Sequence, residues 1–564
     1  MKKSGAQILW ECIVQEGVDT VFGFPGGATL PIYDILADYP VHHVLVRHEQ
    51  GAAHMADGYA RATGKVGVAL ATSGPGATNL VTGIATAFMD SIPMVCITGQ
   101  VPSWYIGYDA FQETDVTGVT LPITKHNYLV TSVEEISATI REAFYLARSG
   151  RPGPVLIDIT KDAQMNEIDW EYDDTPIKMS SYRRDFSPTE ESLKQAAEMI
   201  AQAKRPVILA GAGVLQSGAM KELLDFAEKT QTPITTTLLG LGGVPASHPL
   251  SLGMMGMHGV SWANQAIQEA DLLLAMGMRF DDRVTGNMKT YAPNARKIHF
   301  EIDPSEINKN VKVDIALIGD LKNTLAKLHP YLSPADHAPW VEKINNGRAE
   351  SAQRDILNWP DTGKLHAAHV LHDLWEYTEG KGILVTDVGQ HQMWAAQYYK
   401  HEKPNTLITS GGLGTMGFAL PAAIGAKTGC PDAEVWVIAG DGGFQMTQAE
   451  LSTAAQEGLK INIAIINNGY LGMVRQWQDL FYGKRYAATP MHGPDFIKIA
   501  EAHGLTGIRV TKRSEIKEAI RKAQADPGTV ILEFRVVEED NVYPMVSAGA
   551  DLHEMLRRPL PDQS

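Results

Sequence analysis

Short apolar runs alternate with segments of helical spacing along most of the chain. In the first 165 residues, the apolar runs at 66–70, 94–99 and 155–159 have the length of strands. The segments between them carry apolar residues at the three- and four-residue spacing that is typical of amphipathic helices. This alternation predicts a parallel sheet with helices on its faces.

Two polar stretches without a clear period divide the chain into three such parts. Residues 169–188 precede the apolar runs PVILAG, DLLLAMG and KIHFEID, and residues 345–364 precede GILVTD, TLITS, VWVIAG and INIAIIN. A chain of 564 residues also exceeds what one hydrophobic core usually supports. We therefore predict an α/β protein of three domains with parallel central sheets, at residues 1–168, 188–345 and 364–564, the last with a C-terminal arm.

One segment of the first predicted domain resembles a segment of the third. SGPGATNLVTGIATA begins at Ser73 and SGGLGTMGFALPAAIGA begins at Ser410, and each is followed by a strand that runs into Gly99 or Gly440. Unrelated strand, turn and helix units also look alike, because glycine is needed where the backbone passes close to a helix start. A duplication and a chance likeness are therefore both open.

Composition narrows the class of protein. Hydrophobic residues make up 44% of the chain, charged residues make up 20%, and no apolar run has membrane-spanning length, so we expect no membrane partner. The net charge of −16 disfavours nucleic-acid binding. Helical spacing begins at Ile8, which leaves no room for a signal peptide, so we expect a cytoplasmic protein. Cys12, Cys96 and Cys430 lack the spacing of a zinc site or a disulfide framework, and we interpret them as small buried residues.

The residues GDG at 440–442 follow the apolar strand VWVIA, and the next strand, INIAII, runs into Asn467 and Asn468. Open α/β sheets bind ligands at the carboxyl ends of their strands, where both Asp441 and Asn468 would lie. Carboxylate and amide oxygens are the ligands that Mg²⁺ prefers. The alternative is a pair of ordinary turns capped by Asp and Asn. The spacing resembles the metal-binding signature of thiamine-diphosphate enzymes.

A competing pattern, GLGTMG, satisfies GxGxxG at residues 412–417 and has Glu434 at about the right distance for a nicotinamide-binding domain. A dehydrogenase would explain this motif, but it would leave the GDG motif and Asn468 unexplained. A lone GxGxxG is a weak signal, so we disfavour this alternative.

The strand HVLV leads into RHEQGAAHMADGYAR, where Glu49 would stand at a sheet edge before a helix begins. Thiamine-diphosphate chemistry needs a carboxyl group against N1′ of the aminopyrimidine, and an apolar pocket raises the pKa of such a group. The alternative is a glutamate in the first turn of a helix, favoured by the helix dipole. The presence of the GDG motif in the same chain favours the catalytic interpretation.

Nearly the whole chain is similar to the catalytic subunits of acetohydroxyacid synthases. The segments that carry this resemblance are PGGATLPIYD, RHEQGAAHMADGYARATGK, TSGPGATNLVTGIATAFMDSIP, GYDAFQETD, GRPGPVLIDITKD, GMRFDDRVTG, SGGLGTMGF and GMVRQWQ. The family decarboxylates pyruvate on thiamine diphosphate and joins the product to a second pyruvate or to 2-ketobutyrate, for branched-chain amino-acid synthesis. The resemblance also implies a homodimer or tetramer with its site between subunits, and a small regulatory subunit.

Other functions remain as alternatives. Glyoxylate carboligases lack the glutamate that Glu49 supplies, and pyruvate decarboxylases carry an adjacent histidine pair near the position of FQE in this chain, so both are disfavoured. A flavin-dependent pyruvate oxidase and a noncatalytic assembly protein also stay open.

The resemblance implies a role for each residue of the thiamine site. Mg²⁺ would bind Asp441, Asn468 and the main-chain carbonyl of Tyr470. The diphosphate would contact Gln390, His391 and the main chain at Gly442 and Gly443, the latter being serine in many relatives. Gly414 would accept a bond from the 4′-amino group, and Met416 would support the bent cofactor. Beside the reacting atoms the resemblance implies three catalytic groups: Glu49, the Gly27 amide and Gln112.

The resemblance also implies a site for the acceptor ketoacid and a site for FAD in a non-redox role. Arg283 would bind the acceptor carboxylate, and Trp477 would form the side-chain wall, with further contacts from Phe111, Lys161, Met473 and Val474. Without the resemblance, a surface ion pair and a core aromatic are the simpler interpretations of Arg283 and Trp477. The FAD residues would be Arg151, Gly211, Gly213, Arg279, Asp303 and Asp320, and the alternative is a purely structural middle domain.

Overall fold

Three six-stranded parallel sheets follow one another along the chain. The computed structural model describes residues 1–560, so the last four residues of the predicted third domain lie outside it. The fold class predicted from the apolar runs, α/β with parallel central sheets, is confirmed. We call the units around these sheets the first, middle and third domains.

The first domain forms its sheet in the order β3-β2-β4-β5-β7-β6, with β1 and β8 as a separate antiparallel pair. The predicted strands at 66–70, 94–99 and 155–159 are β4, β5 and β7. The strands are β1 (Lys2–Ser4), β2 (Thr20–Gly23), β3 (His42–Leu45), β4 (Gly67–Ala71), β5 (Met94–Gln100), β6 (His126–Val130), β7 (Pro154–Thr160) and β8 (Glu167–Asp169). The helices are α1 (Gly5–Gln15), α2 (Leu30–Asp34), α3 (Glu49–Thr63), α4 (Pro75–Asn79), α5 (Val81–Asp90), α6 (Val116–Thr120), α7 (Ile136–Arg148) and α8 (Lys161–Met165).

The middle domain has the strand order β11-β10-β9-β12-β13-β14. Its strands are β9 (Pro206–Ala210), β10 (Ile234–Thr236), β11 (Ser251–Met254), β12 (Leu272–Met276), β13 (Arg296–Glu301) and β14 (Ile315–Ile318). Its helices are α9 (Glu190–Gln202), α10 (Ala212–Gln216), α11 (Met220–Thr230), α12 (Ser261–Glu269), α13 (Asp282–Thr285), α14 (Leu321–Leu328) and α15 (Ala338–Ala352). Helix α15 continues past residue 345, so the polar stretch at 345–364 begins as helix rather than as linker. Trp340 and Ile344 anchor that helix in the core, although its other side chains are largely polar.

The third domain has the order β16-β15-β17-β18-β20-β19, followed by the antiparallel pair β21 and β22. Its strands are β15 (Ile383–Thr386), β16 (Leu407–Thr409), β17 (Val435–Gly440), β18 (Asn462–Asn467), β19 (Thr506–Val510), β20 (Val530–Arg535), β21 (Met545–Val546) and β22 (Met555–Leu556). Its helices are α16 (Ala367–Thr378), α17 (Gln390–Tyr398), α18 (Ala419–Gly429), α19 (Asp441–Thr447), α20 (Leu451–Gln456), α21 (Gly472–Phe481), α22 (Phe496–Ala502) and α23 (Ile516–Ala525). Residues after β20 reach back to the middle domain, where Val546 and Leu552 join its core.

The first and third sheets share one strand order. When the strands of each six-stranded sheet are numbered 1 to 6 in chain order, the first and third sheets both have the spatial order 2-1-3-4-6-5, whereas the middle sheet has the order 3-2-1-4-5-6. The likeness between the first and third domains is therefore structural. The segments compared in the sequence are not equivalent, however, because Ser73 follows the third strand of its sheet and Ser410 follows the second. Glycine-rich turns occur after both strands, which explains the misalignment.

Helices α3 and α18, which follow the second strands of these two sheets, pack directly against each other. A Cβ added at Gly58 would lie 2.0 Å from the Ala422 carbonyl oxygen, and one added at Gly425 would lie 1.9 Å from that of Met55. Backbone therefore meets backbone at both crossings, which requires glycine. This packing fixes the first domain against the third within one chain.

Two further predictions concern the three cysteines and helices that could span a membrane. Cys12 and Cys96 are buried, Cys430 is half-buried, and all three are free thiols. Among the described residues, no helix combines the length and apolar character needed to cross a bilayer.

Candidate functional site

Asp441 and Asn468 stand at the carboxyl ends of the neighbouring parallel strands β17 and β18. Asp441 is 1% exposed, and its Oδ2 has no hydrogen-bond partner among the described residues. Burial raises the pKa of this carboxyl group to about 6, against the lowering effects of nearby backbone N–H groups and of Arg535. The Asn468 Oδ1 accepts a bond from the Tyr470 N–H at 3.2 Å. A buried, unpartnered carboxylate oxygen next to an amide oxygen fits a cation.

Gln390 and His391 begin α17, which follows the adjacent strand β15. The Asn468 Nδ2 donates to Gln390 Oε1 at 3.2 Å, so the predicted metal and diphosphate residues are in contact. Burial lowers the pKa of His391 to about 3, so its imidazole is neutral, and its Nε2 is buried without a partner. The ring lies against Gly440, where an added Cβ would come within 3.0 Å of it. These polar atoms are available to a ligand at the strand ends.

Gly442 and Gly443 lie in the first turn of α19, where backbone N–H groups point away from the helix. At Gly443 an added Cβ would lie 2.8 Å from the Asp387 carboxylate. A serine at this position would not fit unless Asp387 moved. Asp387 was missed in the sequence, although it follows the predicted strand GILVTD. It is fully buried and accepts bonds from Val388 N at 2.7 Å and Gly417 N at 2.9 Å.

The turn at residues 410–417 contains Gly414 and Met416 and connects β16 to α18. Gly414 has φ +70°, in the left-handed region that favours glycine. This turn follows a second strand in a sheet that lacks the dinucleotide-binding order, so its GxGxxG pattern does not form the nicotinamide-binding motif. Gly414 and Met416 instead line a large cavity.

This cavity, of about 1160 Å³, is lined by the carboxyl edge of the middle sheet, by loops of the third domain and by first-domain residues near Asp90 and Arg151. Some residues predicted for each of the FAD, thiamine and acceptor sites line this one cavity. Those that line it are Arg151, Gly213, Arg279, Asp320, Arg283, Gly414, Met416, Met473, Val474 and Trp477.

The middle sheet reverses its strand order between β9 and β12, where such sheets bind ligands. Gly211 follows β9, and a Cβ added there would lie 2.3 Å from the Gly277 carbonyl oxygen. Gly213 packs equally tightly on Gly277, so this crossing requires glycine on both sides. Gly211 does not line the cavity, but it allows the close packing of the two loops that border it.

Arg151 reaches from the first domain to the middle one. Its NH1 pairs with Asp303 Oδ2 at 3.2 Å and with Glu306 Oε1 at 2.8 Å. Asp303 is thus held by Arg151 and does not line the cavity. Asp320 caps α14 by accepting from Asn323 N at 2.9 Å, and it does line the cavity.

Trp477 departs from its simpler interpretation as a core aromatic, whereas Arg283 does form the surface ion pair that its simpler interpretation predicts. Trp477 is half-buried against Phe481, with ring centroids 5.3 Å apart, and is not a core residue. The Arg283 side chain is 61% exposed and lies 3.7 Å from Asp282, an exposed pair that contributes little to stability. The guanidinium also faces the cavity that Trp477 lines.

Glu49, Gln112 and the turn at Gly27 gather around a second place, the loop at residues 72–76. Glu49 begins α3, and a Cβ on Gly76 would lie 3.3 Å from its Oε1. Gln112 backs onto Gly74, where an added Cβ would lie 2.8 Å from the Gln112 carbonyl oxygen. Ala28, next to Gly27, donates its N–H to Thr72 Oγ1 at 3.3 Å. Glu49, Gln112 and the turn at Gly27 therefore lie around one loop.

Asn79 was not predicted from the sequence, yet its Nδ2 donates to Glu49 Oε2 at 2.9 Å. Only the fold brings α4 beside the start of α3, so no local pattern marks this residue. Gln112 has φ +60°, a strained conformation for a residue with a side chain. Strain of this kind concentrates at functional sites.

Within one chain, this first-domain group does not line the cavity. Gly27 is exposed, Phe111 is 88% exposed, and Lys161 is half-buried at the start of α8. The neighbouring segment exposes further large apolar side chains: Trp104, Tyr105, Tyr108 and Leu121. A large contiguous apolar surface is typical of protein contacts.

Comparisons with known proteins match all three domains. The chain matches the family profiles described as Thiamine pyrophosphate enzyme, N-terminal TPP binding domain (residues 3–119), central domain (residues 193–328) and C-terminal TPP binding domain (residues 387–534). It is 50% identical to the acetolactate synthase large subunit of Corynebacterium glutamicum, over 97% of this chain and 89% of that protein. It is 47% identical to the acetolactate synthase of Mycobacterium leprae (98% and 90%) and 46% identical to the probable acetolactate synthase large subunit of Methanocaldococcus jannaschii (98% and 95%).

Proposed function

The chain belongs to the acetolactate synthase large subunits, a family of thiamine pyrophosphate enzymes, and we propose that it converts pyruvate to 2-acetolactate with loss of CO₂. With 2-ketobutyrate as acceptor, the product is 2-aceto-2-hydroxybutyrate. Both products belong to branched-chain amino-acid synthesis. The flavin oxidase alternative is not favoured by the relatives, which are named acetolactate synthases.

The observation that carries this proposal is the buried Asp441 carboxylate, whose Oδ2 has no hydrogen-bond partner among the described residues, at the strand end next to that of Asn468. These side chains and the Tyr470 carbonyl would hold Mg²⁺. Gln390, His391 and the N–H groups at the start of α19 would bind the diphosphate. When bound, thiamine diphosphate supplies the carbon nucleophile and accepts the electrons released with CO₂.

Glu49 would hold the proton at N1′ of the aminopyrimidine ring. Asn79 donates to Oε2, which leaves Oε1 as the carboxyl oxygen free to face that nitrogen. The Gly27 N–H and the Gln112 amide would donate to the reacting oxygens, where preorganised donors stabilise developing charge. The exposed position of Gly27 keeps its N–H open to a ligand.

We place the complete site between two copies of this chain, as a homodimer or a pair of dimers. Asp441 is enclosed in the third domain, while the Glu49 group faces outward near the exposed aromatic segment at 104–121. Glu450 of the same chain accepts from the His48 N–H at 3.0 Å, so the start of α3 is held beside the start of α20 within its own chain. A second copy would bring its own Asp441 group to the open face. A large subunit also implies a small regulatory partner.

The cavity would hold the acceptor and FAD. Arg283 suits the acceptor carboxylate because its planar guanidinium forms paired bonds, and Trp477 with Val474 forms an apolar wall. FAD would lie along Gly213, Arg279 and Asp320, in a structural role since the overall reaction is not a net oxidation or reduction.

An assay of acetolactate formation tests the proposed function. Purified protein should convert pyruvate to acetolactate only when thiamine diphosphate and Mg²⁺ are both present, and without oxygen uptake. Oxygen consumption that matches pyruvate consumption would support the oxidase instead. No turnover and no binding of thiamine diphosphate would leave a noncatalytic assembly protein.

A further inference from the structure

We propose that Asp90, at the C-terminus of α5 in the first domain, is a positioning residue for the turn that presents Gly414 and Met416. This inference rests on the proposed function, because it gives these two residues a role at the cofactor. It assigns the buried carboxylate of one domain to the cofactor-facing turn of another.

The Asp90 carboxylate binds the backbone of this turn with both oxygens. Gly411 N donates to Asp90 Oδ2 at 3.0 Å, and Gly412 N donates to Oδ1 at 2.7 Å. The Asp90 side chain is completely buried. A Cβ on Gly412 would lie 2.9 Å from Oδ1, so glycine allows the close approach. Bonds to an ionised acceptor are stronger than neutral ones, so this paired contact fixes the turn firmly.

Arg61 completes the attachment. Its NH2 pairs with Asp90 Oδ2 at 2.8 Å, and its NH1 donates to the Thr409 carbonyl oxygen at 2.9 Å. Thr409 is the last residue of β16, immediately before the turn. The guanidinium therefore holds the Asp90 carboxylate and the end of the strand in one arrangement.

A second contact fastens the other end of the turn. Thr86, one helical turn before Asp90 in α5, shares a 2.7 Å hydrogen bond between hydroxyl groups with Thr415. The turn is thus held by α5 on both sides of Gly414, while Leu413 and Gly414 between these contacts remain exposed. These contacts fix the positions of Gly414 and Met416, both of which line the cavity, and a bound cofactor requires such fixed neighbours.

The competing explanation is that the cluster of Asp57, Arg61 and Asp90 only stabilises the fold. A substitution of Asp57 distinguishes this explanation from a positioning role of Asp90. Asp57 is equally buried and pairs with Arg61 Nε at 2.5 Å, but it makes no hydrogen bond to the turn. Asp57→Asn and Asp90→Asn each remove one of the two carboxylates that compensate Arg61. Only Asp90→Asn also removes a carboxylate oxygen that accepts a hydrogen bond from the backbone of the turn.

The test compares full-length wild type, Asp90→Asn and Asp57→Asn by thermal melting without cofactors and by calorimetric titration with thiamine diphosphate and Mg²⁺. Both variants should melt earlier by similar amounts. Only Asp90→Asn should raise the Kd for thiamine diphosphate, by roughly tenfold, since it loses about one charge-assisted bond to the turn. Equal affinities in the two variants would overturn the proposal.

Two further measurements keep the test decisive. If Asp90→Asn does not fold, Thr86→Val replaces it, with a smaller increase in Kd expected and an unchanged Kd contradicting the proposal. If wild type itself fails to bind thiamine diphosphate, the proposed function is wrong. If wild type binds and the variants do not differ, only the role of Asp90 is wrong.

Discussion

Within one chain, the predicted site residues around Asp441 are enclosed by protein, whereas those around Glu49 are partly open to solvent. We call these two sets the Asp441 group and the Glu49 group. Asp441, Asn468, Gln390 and His391 are all buried, and one hydrogen bond joins Asn468 to Gln390 where strands of one sheet end. Glu49 is half-buried, and beside its loop Gly27 and Phe111 are exposed. Their domains nevertheless share one strand order.

This difference indicates what each half requires from its surroundings. Binding a metal and a diphosphate requires enclosed, preoriented polar atoms, which a single sheet edge supplies. Sharing a proton with the aminopyrimidine requires a carboxyl group, and the side of Glu49 that is open in one chain would be covered by the second copy of the chain. We therefore expect variants of the first group to lose cofactor and variants of the second to lose rate.

The largest effect is expected for Asp441→Ala. It removes a charged ligand that contributes several kcal/mol to metal-assisted catalysis, so activity should fall by roughly 10³-fold or more, with loss of thiamine diphosphate binding. Because burial raises the pKa of this carboxyl group, its charged form costs stability without metal, and the melting temperature of the cofactor-free protein should not fall. Calorimetry and thermal melts check both expectations, with exposed Asp432→Ala as control. Unchanged affinity for thiamine diphosphate would contradict the metal assignment.

Glu49→Gln should reduce turnover by about 10²- to 10⁴-fold, because an amide cannot share a proton with N1′. Thiamine diphosphate should still bind with close to wild-type affinity, in contrast to Asp441→Ala. Glu450→Gln is the matched control, since it alters a buried carboxylate beside the same helix start. Near-normal turnover in Glu49→Gln would remove this residue from the mechanism.

Trp477→Leu should change selectivity more than rate. One methylene in an apolar pocket is worth about 1–3 kcal/mol, so losing the wall should lower the ratio of 2-aceto-2-hydroxybutyrate to 2-acetolactate by several-fold to roughly tenfold. The ratio of the two products in competition measures this. Phe481→Leu, which alters the packing partner outside the cavity wall, should leave the ratio unchanged. An unchanged ratio in Trp477→Leu would leave selectivity unexplained.

The positions of the strands, and of Asp441 and Asn468 at the ends of two of them, could be predicted from the sequence because both depend on local patterns. The apolar run VWVIAG is β17 at residues 435–440, and INIAIIN matches β18 to within one residue. Since the carboxyl ends of parallel strands share an edge, the proximity of Asp441 and Asn468 followed from the spacing, whereas their role as metal ligands stays a prediction. Helix α15 was missed in part, because only Trp340 and Ile344 of its residues are buried.

Contacts between distant segments could not be predicted in this way. Asn79 reaches Glu49, and Asp90 reaches Gly412, only through the packing of separate elements. Neither residue belongs to a local motif with a chemical meaning. The strand order of the sheets was equally hidden, and it is the strand order that shows that the GxGxxG of the third domain is not a nicotinamide-binding motif.

The most direct test of the central claim, a site shared between two chains, mixes subunits that carry Glu49→Gln with subunits that carry Asp441→Ala. In a mixed dimer, a shared site would combine the intact Glu49 of one subunit with the intact Asp441 of the other. Tandem purification through two different tags isolates this dimer. It should recover roughly half of the wild-type activity per dimer, because one of two sites is intact. A doubly tagged dimer no more active than its inactive parents would mean that both groups act within one chain.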